Sequence, residues 1–225
     1  VLYLGGAENF SASQKEMLES CRAKLLAARE RRHAPATDTK IITSWNALAI
    51  GACLDAFHAL GDSLFLGQAL QTASFLLQTQ LKPDGRLLRT GSNYGFLDDY
   101  ALAIKSLLAL YETTFDSKWL QQSDQLMKRV IVDFSGQNSA LFYYSPEETS
   151  LFTRRKDHYD EALPSANSVM ARNLYKMGTL LQDSGYLSRA EAMVKEVLPG
   201  ILAYPSSFSH WISLYGWIAC GSHEI

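Results

Sequence analysis

The 225-residue sequence predicts an all-α fold in which inner helices are wrapped by outer ones: an α/α toroid, an incomplete ring of about eight helices with one small β-hairpin. Three observations predict it. Apolar residues recur at helical spacing through most of the chain. The helices marked in this way alternate between two kinds, apolar nearly all round and apolar along one stripe. A short motif, D-S-x-aromatic-L-x-x-small, also occurs three times: Asp62-Ser63-Leu64-Phe65-Leu66 with Ala69, Asp116-Ser117-Lys118-Trp119-Leu120 with Ser123, and Asp183-Ser184-Gly185-Tyr186-Leu187 with Ala190.

In chain order, a capping box from Ser13 to Glu16 opens a first helix that runs to about Arg32. Periodicity then marks helices over 44–60, 63–80, 98–115, 117–134, 165–184, 187–203 and 207–221. Over 187–203, Leu187, Ala190, Met193, Val194, Val197, Leu198 and Ile201 fall on one stripe, with Arg189, Glu191, Lys195 and Glu196 elsewhere, so this is a surface helix with one buried face. Between Ala47 and Leu60 only Asp55 and His58 are polar, which predicts a helix buried all round; the segments 101–111 and 208–220 read the same way. Each motif copy falls at the short turn from an inner helix into an outer one. There Asp or Ser supplies the N-cap oxygen, and the aromatic-Leu pair anchors the new helix. The copies are spaced more widely and less evenly than solenoid repeats, which favours a closed or part-closed toroid. The surplus length lies in 81–97 and 135–163. LFYYS and TSLFT around PEE read as a β-hairpin near 141–154, and GRLLRTG as a short extended piece.

Composition narrows the function classes. Hydrophobic residues make up 47% and charged residues 20%, with a formal net charge of −2, so the chain is globular and carries no basic excess for nucleic acid. No apolar run approaches the roughly 18 residues of a membrane span, so neither nucleic acid nor membrane is expected as a partner. Cys21, Cys53 and Cys220 match no CxxC or zinc spacing and read as buried free thiols in a reducing compartment, which makes the cytoplasm the expected location. There is no Gly-rich phosphate loop, metal-spaced His/Cys set or G-x-S-x-G, and no cofactor or metal is expected. The chain begins at Val1 without an initiator Met and reads as a piece of a longer protein.

If the hairpins alternate up and down, every inner helix begins on the same rim. The four starts bring Asp38, Lys40, Trp45 and Asn46; Tyr94, Asp98, Asp99 and Tyr100; Ser165, Asn167 and Ser168; and His210. The long connection before the third start adds Arg154-Arg155-Lys156-Asp157-His158-Tyr159-Asp160-Glu161. Two readings stand side by side. Asp, Ser and Asn are preferred caps, and a mixed-charge loop is ordinarily a solvated one. Capping, however, needs one side chain per helix, and neighbouring helical positions diverge by about 100°, so one Asp of a pair can cap while the other faces the cavity. Carboxyls about 5–10 Å apart are what acid/base cleavage of a glycosidic bond requires. Faces such as Trp45, Tyr94 and Tyr100 suit stacking on a sugar.

Three blocks in this order, DTKIITSWNALAI, GFLDDYALAIKSLLALYETTFDSKWL and RRKDHYDEALPSANSVMARNLYKMG, resemble the C-terminal part of the spermatogenesis-associated, thioredoxin-domain-containing protein family. Two positions depart from its pattern: Ala47 and Glu161 stand where Gly is common. The resemblance implies a thioredoxin-like domain ahead of a six-hairpin, glycosidase-like toroid similar to the N-acylglucosamine 2-epimerases. A whole ring has twelve helices, so this chain is expected to be a C-terminal fragment that lacks the first domain and about four helices, and to self-associate through the open ring. The resulting functional expectation is a carbohydrate-active or carbohydrate-binding domain, glycosidase-like or sugar 2-epimerase-like, with a saccharide as ligand. Asp99 with Asp157 or Asp160 forms the acid/base pair, and His210 is the base of an epimerase version. Trp45 and Tyr100 form the sugar platform beside Tyr94, and Lys40 and Asn167 orient the ligand. Asp38, Asn46, Asp98, Lys156, Glu161, Ser165 and Ser168 complete the contacts. The alternative is a non-catalytic scaffold whose rim binds a protein or peptide.

Overall fold

The computed structural model describes residues 10–147 and 153–221. The chain divides into two units, 1–39 and 40–225. The first holds α1 (Ala12–Glu30), which has no buried residue. Ser11 caps α1: its Oγ accepts the Gln14 N–H at 3.3 Å, and Gln14 Oε1 accepts the Ser11 N–H at 2.9 Å. The box therefore begins two residues before the predicted Ser13–Glu16, because Gln at the third helical position serves as well as Glu.

The second unit contains α2 (Thr43–Leu60), α3 (Ser63–Thr79), β1 (Leu88–Thr90), β2 (Asn93–Tyr94), α4 (Leu97–Thr114), α5 (Ser117–Phe134), α6 (Ala166–Leu181), α7 (Ser184–Ala203) and α8 (Ser209–Cys220). The inner row is α2, α4, α6 and α8, each packed on the next, with α3 behind α2, α5 behind α4 and α7 behind α6. This is the inner-and-outer alternation that the hydrophobic pattern predicts.

All three inner-to-outer turns are built alike. The inner helix ends on a left-handed residue, Gly61, Phe115 or Gln182, with φ of 70°, 55° and 54°. The motif Asp follows as N-cap, its Oδ1 accepting the N–H of Leu64, Lys118 and Gly185 respectively. One turn further on, Trp119 and Tyr186 are buried, and the small residues Ala69, Ser123 and Ala190 are all but inaccessible, which lets the layers approach closely. Gly178 shows how close: a Cβ there would lie 2.7 Å from Leu187 Cγ, the motif Leu of α7.

Four expectations are corrected. α2 and α8 are not buried all round. Among the described residues of this unit they sit at the ends of the row with a neighbouring inner helix on one side, so α2 buries Ala47, Ile50 and Leu54 but exposes Leu60, and α8 buries Trp211 and Leu214 but exposes Tyr215. Cys21 and Cys220 are exposed and Cys53 is half-buried, all three as free thiols, because they lie on the solvated helix and on these row-end helices. The two-stranded sheet is in the GRLLRTG region, with Leu88 opposite Tyr94 and Thr90 opposite Asn93. The described part of 141–154 forms no strand; residues 148–152 lie outside the described set. There Tyr144 N–H does meet the Arg155 carbonyl at 2.8 Å, but Tyr143 N–H goes to Phe134 at the end of α5, and Arg154 binds the Ser145 and Asp133 carbonyls. The segment is fastened to a helix end in place of a partner strand. No helix among the described residues is long and apolar enough to cross a membrane.

Phe115 adopts the left-handed conformation with its side chain 79% exposed, a backbone cost of about 1–2 kcal/mol that glycine avoids. Phe115→Gly, and likewise Gln182→Gly, should raise stability by about 0.5–1 kcal/mol in urea unfolding, since glycine's extra freedom in the unfolded chain offsets part of the gain.

Candidate functional site

The starts of the inner helices are held together by two carboxylates that work in the same way. Asp99 is completely buried. Its Oδ1 accepts the Ser44 N–H of α2 at 3.0 Å, and its Oδ2 accepts the Phe96 N–H at the start of α4 at 3.0 Å and Arg89 Nη1 at 3.0 Å. Asp160 repeats the device one pair along. Its Oδ1 accepts the Ser165 N–H of the α6 cap and the Ser168 hydroxyl, both at 2.9 Å, and its Oδ2 accepts the His210 N–H of α8 at 2.9 Å. Each carboxylate thus satisfies orphan N–H groups on two neighbouring helices. Burial, then Asp98, push the Asp99 carboxyl above its ordinary range, against the pull of Arg89 and the N–H donors.

Around Asp99 the rim is layered. Arg89 lies over the Phe96 ring, Phe96 stacks on Tyr144 at 5.2 Å, and Arg155 lies over Tyr144. Each arginine also holds a solvent-facing carboxylate: Arg89 Nη1 is 3.1 Å from Asp98, and Arg155 Nη2 is 3.4 Å from Asp157. Against the cost of burial, Asp98 and Asp99 raise the Arg89 pKa and keep it charged, while burial and then Asp98 push the Tyr144 hydroxyl up to about 12. Asn167 sews the loop to this layer. It accepts from Phe142 N–H and donates to the carbonyls of Phe142 and Asp157, which fixes where Asp157 sits.

His210 is the third element. Its Nδ1 is 3.0 Å from Ser168 Oγ, whose single proton faces the Asp160 carboxylate and the Ser165 carbonyl. Nδ1 must therefore carry the ring proton and donate it to Ser168, which leaves Nε2 as an unprotonated acceptor. Burial, then Arg172, push the pKa of His210 down to about 4, so the ring is neutral at physiological pH.

The other predicted residues are distributed as follows. Trp45 and Tyr94 are exposed, the latter beneath Arg86. Tyr100 is buried, its hydroxyl accepting the Leu87 N–H at 2.9 Å and its ring edge-on to Phe134, and with Tyr94, Arg86 and Arg129 it lines a cavity beside the sheet. Asn46 bonds the Ile42 carbonyl within its own helix, and Lys156 lies over the Tyr143 ring. Ser165 and Ser168 belong to the Asp160 network. Glu161 and Lys40 are exposed in the second unit, and Asp38 is exposed in the first. Arg89, Tyr144 and Arg155 were not foreseen. The available signal was an arginine in the extended piece before an acidic helix start, and a second one beside the Lys-Asp of the loop. Among the described residues no group of three or more His, Cys, Asp or Glu is arranged to hold a metal ion.

An arc of inner helices wrapped by outer ones, with its polar groups on the rim where the inner helices begin, defines an α/α toroid of the six-hairpin, glycosidase-like class. The fold resembles a GH76 alpha-mannanase of Bacteroides thetaiotaomicron, with a TM-score of 0.60 at 17% identity over 72% of this chain and 45% of that one. It also resembles cellobiose 2-epimerase of Bacillus thermoamylovorans B4167, with a TM-score of 0.58 at 14% identity over 72% and 45%. By sequence, the chain is a homologue of spermatogenesis-associated protein 20, 33% identical to the Homo sapiens protein over 179 residues, 72% of this chain and 23% of that protein. The chain spans about a quarter of the length of the curated relatives it matches. No protein-family model matches it.

Two predictions test the network. Asp99→Ala leaves buried N–H donors on two helices and the Arg89 charge without its partner, and should cost about 3–5 kcal/mol in urea unfolding, whereas exposed Glu161→Ala should change stability by less than about 0.5 kcal/mol. Because the unfolded chain protonates His210 near its ordinary value while the folded chain resists until about 4, this group's stabilisation is complete above that ordinary value and declines as pH falls toward 4. His210→Gln should flatten the fall in Tm across that window.

Proposed function

We propose that the rim and the adjoining inner wall form a carbohydrate site, glycosidase-like or sugar-epimerase-like in chemistry. The observation that carries this reading is the convergence of four inner-helix starts on one rim, in a fold whose solved neighbours include a mannanase and a sugar epimerase. The geometry divides the residues by task. Asp99 and Asp160 hold the scaffold, with both carboxylate oxygens of each engaged. Asp98 and Asp157, each paired with an arginine, are the carboxylates that this reading assigns to ligand contact. His210, neutral with Nε2 unprotonated, is the base that would take a proton from a sugar carbon or hydroxyl. Trp45, exposed at the start of α2, is the aromatic face for a sugar ring.

A saccharide array probed with the wild-type chain, Asp98→Asn and His210→Gln tests the proposal. Binding of at least one saccharide by wild type, weakened about tenfold or more in Asp98→Asn with Tm unchanged, is the expected result. Binding of no saccharide would overturn it in favour of the protein-interaction scaffold. The commitment of Asp99 and Asp160 to backbone groups is the observation that favours that second reading.

A further inference from the structure

Beside the neutral His210, the inner wall carries three basic side chains that the rim does not use. Lys105 of α4, Arg172 and Lys176 of α6 and His210 of α8 line one cavity of about 100 Å³, room for a single compact polyatomic group. Lys176 is neutralised by Glu112, with Nζ 2.8 and 2.9 Å from its two carboxylate oxygens. Lys105 and Arg172 form no ion pair among the described residues; Asp55 of α2 acts on Lys105 only from a distance. Arg172 Cζ lies over the Trp217 ring, 4.1 Å from its centroid, a cation–π contact that leaves the guanidinium N–H groups available to an anion. Burial, and for Lys105 the nearby Arg172, disfavour both charges. Lys105 is solvent-exposed and Arg172 half-buried, so the two cations stand side by side at an open concave wall, where an anion joining them would relieve their repulsion.

From this arrangement we propose that the inner wall is an oxyanion subsite, in which Lys105 and Arg172 grip a phosphate or carboxylate group of the ligand beside His210. His210 lines the same cavity, so an anionic group gripped there lies beside its imidazole. The ligand class is thus an acidic saccharide, a sugar phosphate or a uronic acid, in preference to a neutral sugar. This refinement rests on the carbohydrate reading for the sugar part, but the anion grip stands on its own.

Calorimetric titrations of the full chain at low ionic strength can separate the two. The ligands are a neutral hexose, a hexose 6-phosphate, a hexuronic acid and inorganic phosphate, each against wild type, Arg172→Met and Lys105→Met. Methionine keeps the apolar packing of the stem and removes the charge; Tm should hold or rise as repulsion is relieved. Supporting the proposal, one of the two acidic sugars binds wild type about tenfold or more tighter than the neutral hexose, and either substitution removes that preference. The hexose phosphate and hexuronic acid arms say which anion fits. Binding of inorganic phosphate that either variant abolishes, with no sugar bound, keeps the subsite and overturns the carbohydrate reading. Equal binding of neutral and acidic sugars, unchanged in the variants, overturns the subsite and keeps the carbohydrate reading. No binding of any of the four overturns both.

Discussion

A carboxylate shared between two helix starts is the interaction on which the rest of this structure depends. Every helix begins with N–H groups that lack an intrahelical acceptor, and the positive end of the helix dipole favours an anion there. Asp99 meets this demand for α2 and α4 together, and Asp160 does so for α6 and α8. Between the pairs, Asn173 of α6 donates to the Ala101 carbonyl of α4 at 2.8 Å, so the row is fastened across its middle as well. Polar bonds of this kind set registry where apolar packing alone would let helices slide. Asp99, sealed from water, does so most strongly.

That architecture decides which polar groups are spent on the scaffold and which face solvent. Of the consecutive pair at the start of α4, one aspartate is turned inward and saturated, while the other faces outward against Arg89. The same split recurs in the loop, where Asp160 is bound to backbone and Asp157 reaches toward solvent. His210 is tied to the second scaffold carboxylate through Ser168, so the group that fixes α8 also fixes the tautomer of the ring. Framework carboxylates and outward-facing ones are therefore near neighbours in the same short sequences.

The fold was legible because its cause is local. Alternation of apolar stripes, Asp caps and small residues at fixed offsets is written within single helices and turns, and all seven helices of the second unit fall where the periodicity places them. Burial of α2 and α8 was not legible, since a helix apolar all round says nothing about whether it has neighbours on both sides. The location of the small sheet was missed because peptide groups of 141–145 are claimed by the end of α5, the start of α4, Asn167 and Arg154, a competition between distant segments that strand propensity does not encode. At the rim, the residue types were legible and their division of labour was not. Which member of Asp98-Asp99 turns inward depends on Ser44, 55 positions earlier in the chain. The stacking of Arg89, Phe96, Tyr144 and Arg155 joins three separate segments.

The two ends of the inner helices differ in how much change they tolerate. At one end, a left-handed residue, an Asp cap and a small residue follow in fixed register. Inserting one residue there would rotate the outer helix by about 100° and carry Ala69, Ser123 or Ala190 away from the interlayer contact. At the other end, the connections run through irregular chain, where doubling a loop's length adds only about 0.6 kcal/mol of closure entropy. Insertions and deletions can accumulate on the rim that holds Asp98, Asp157 and His210 while the opposite rim keeps the arc intact. One scaffold of this kind can acquire new specificities by lengthening loops, with no change to the helices that carry them.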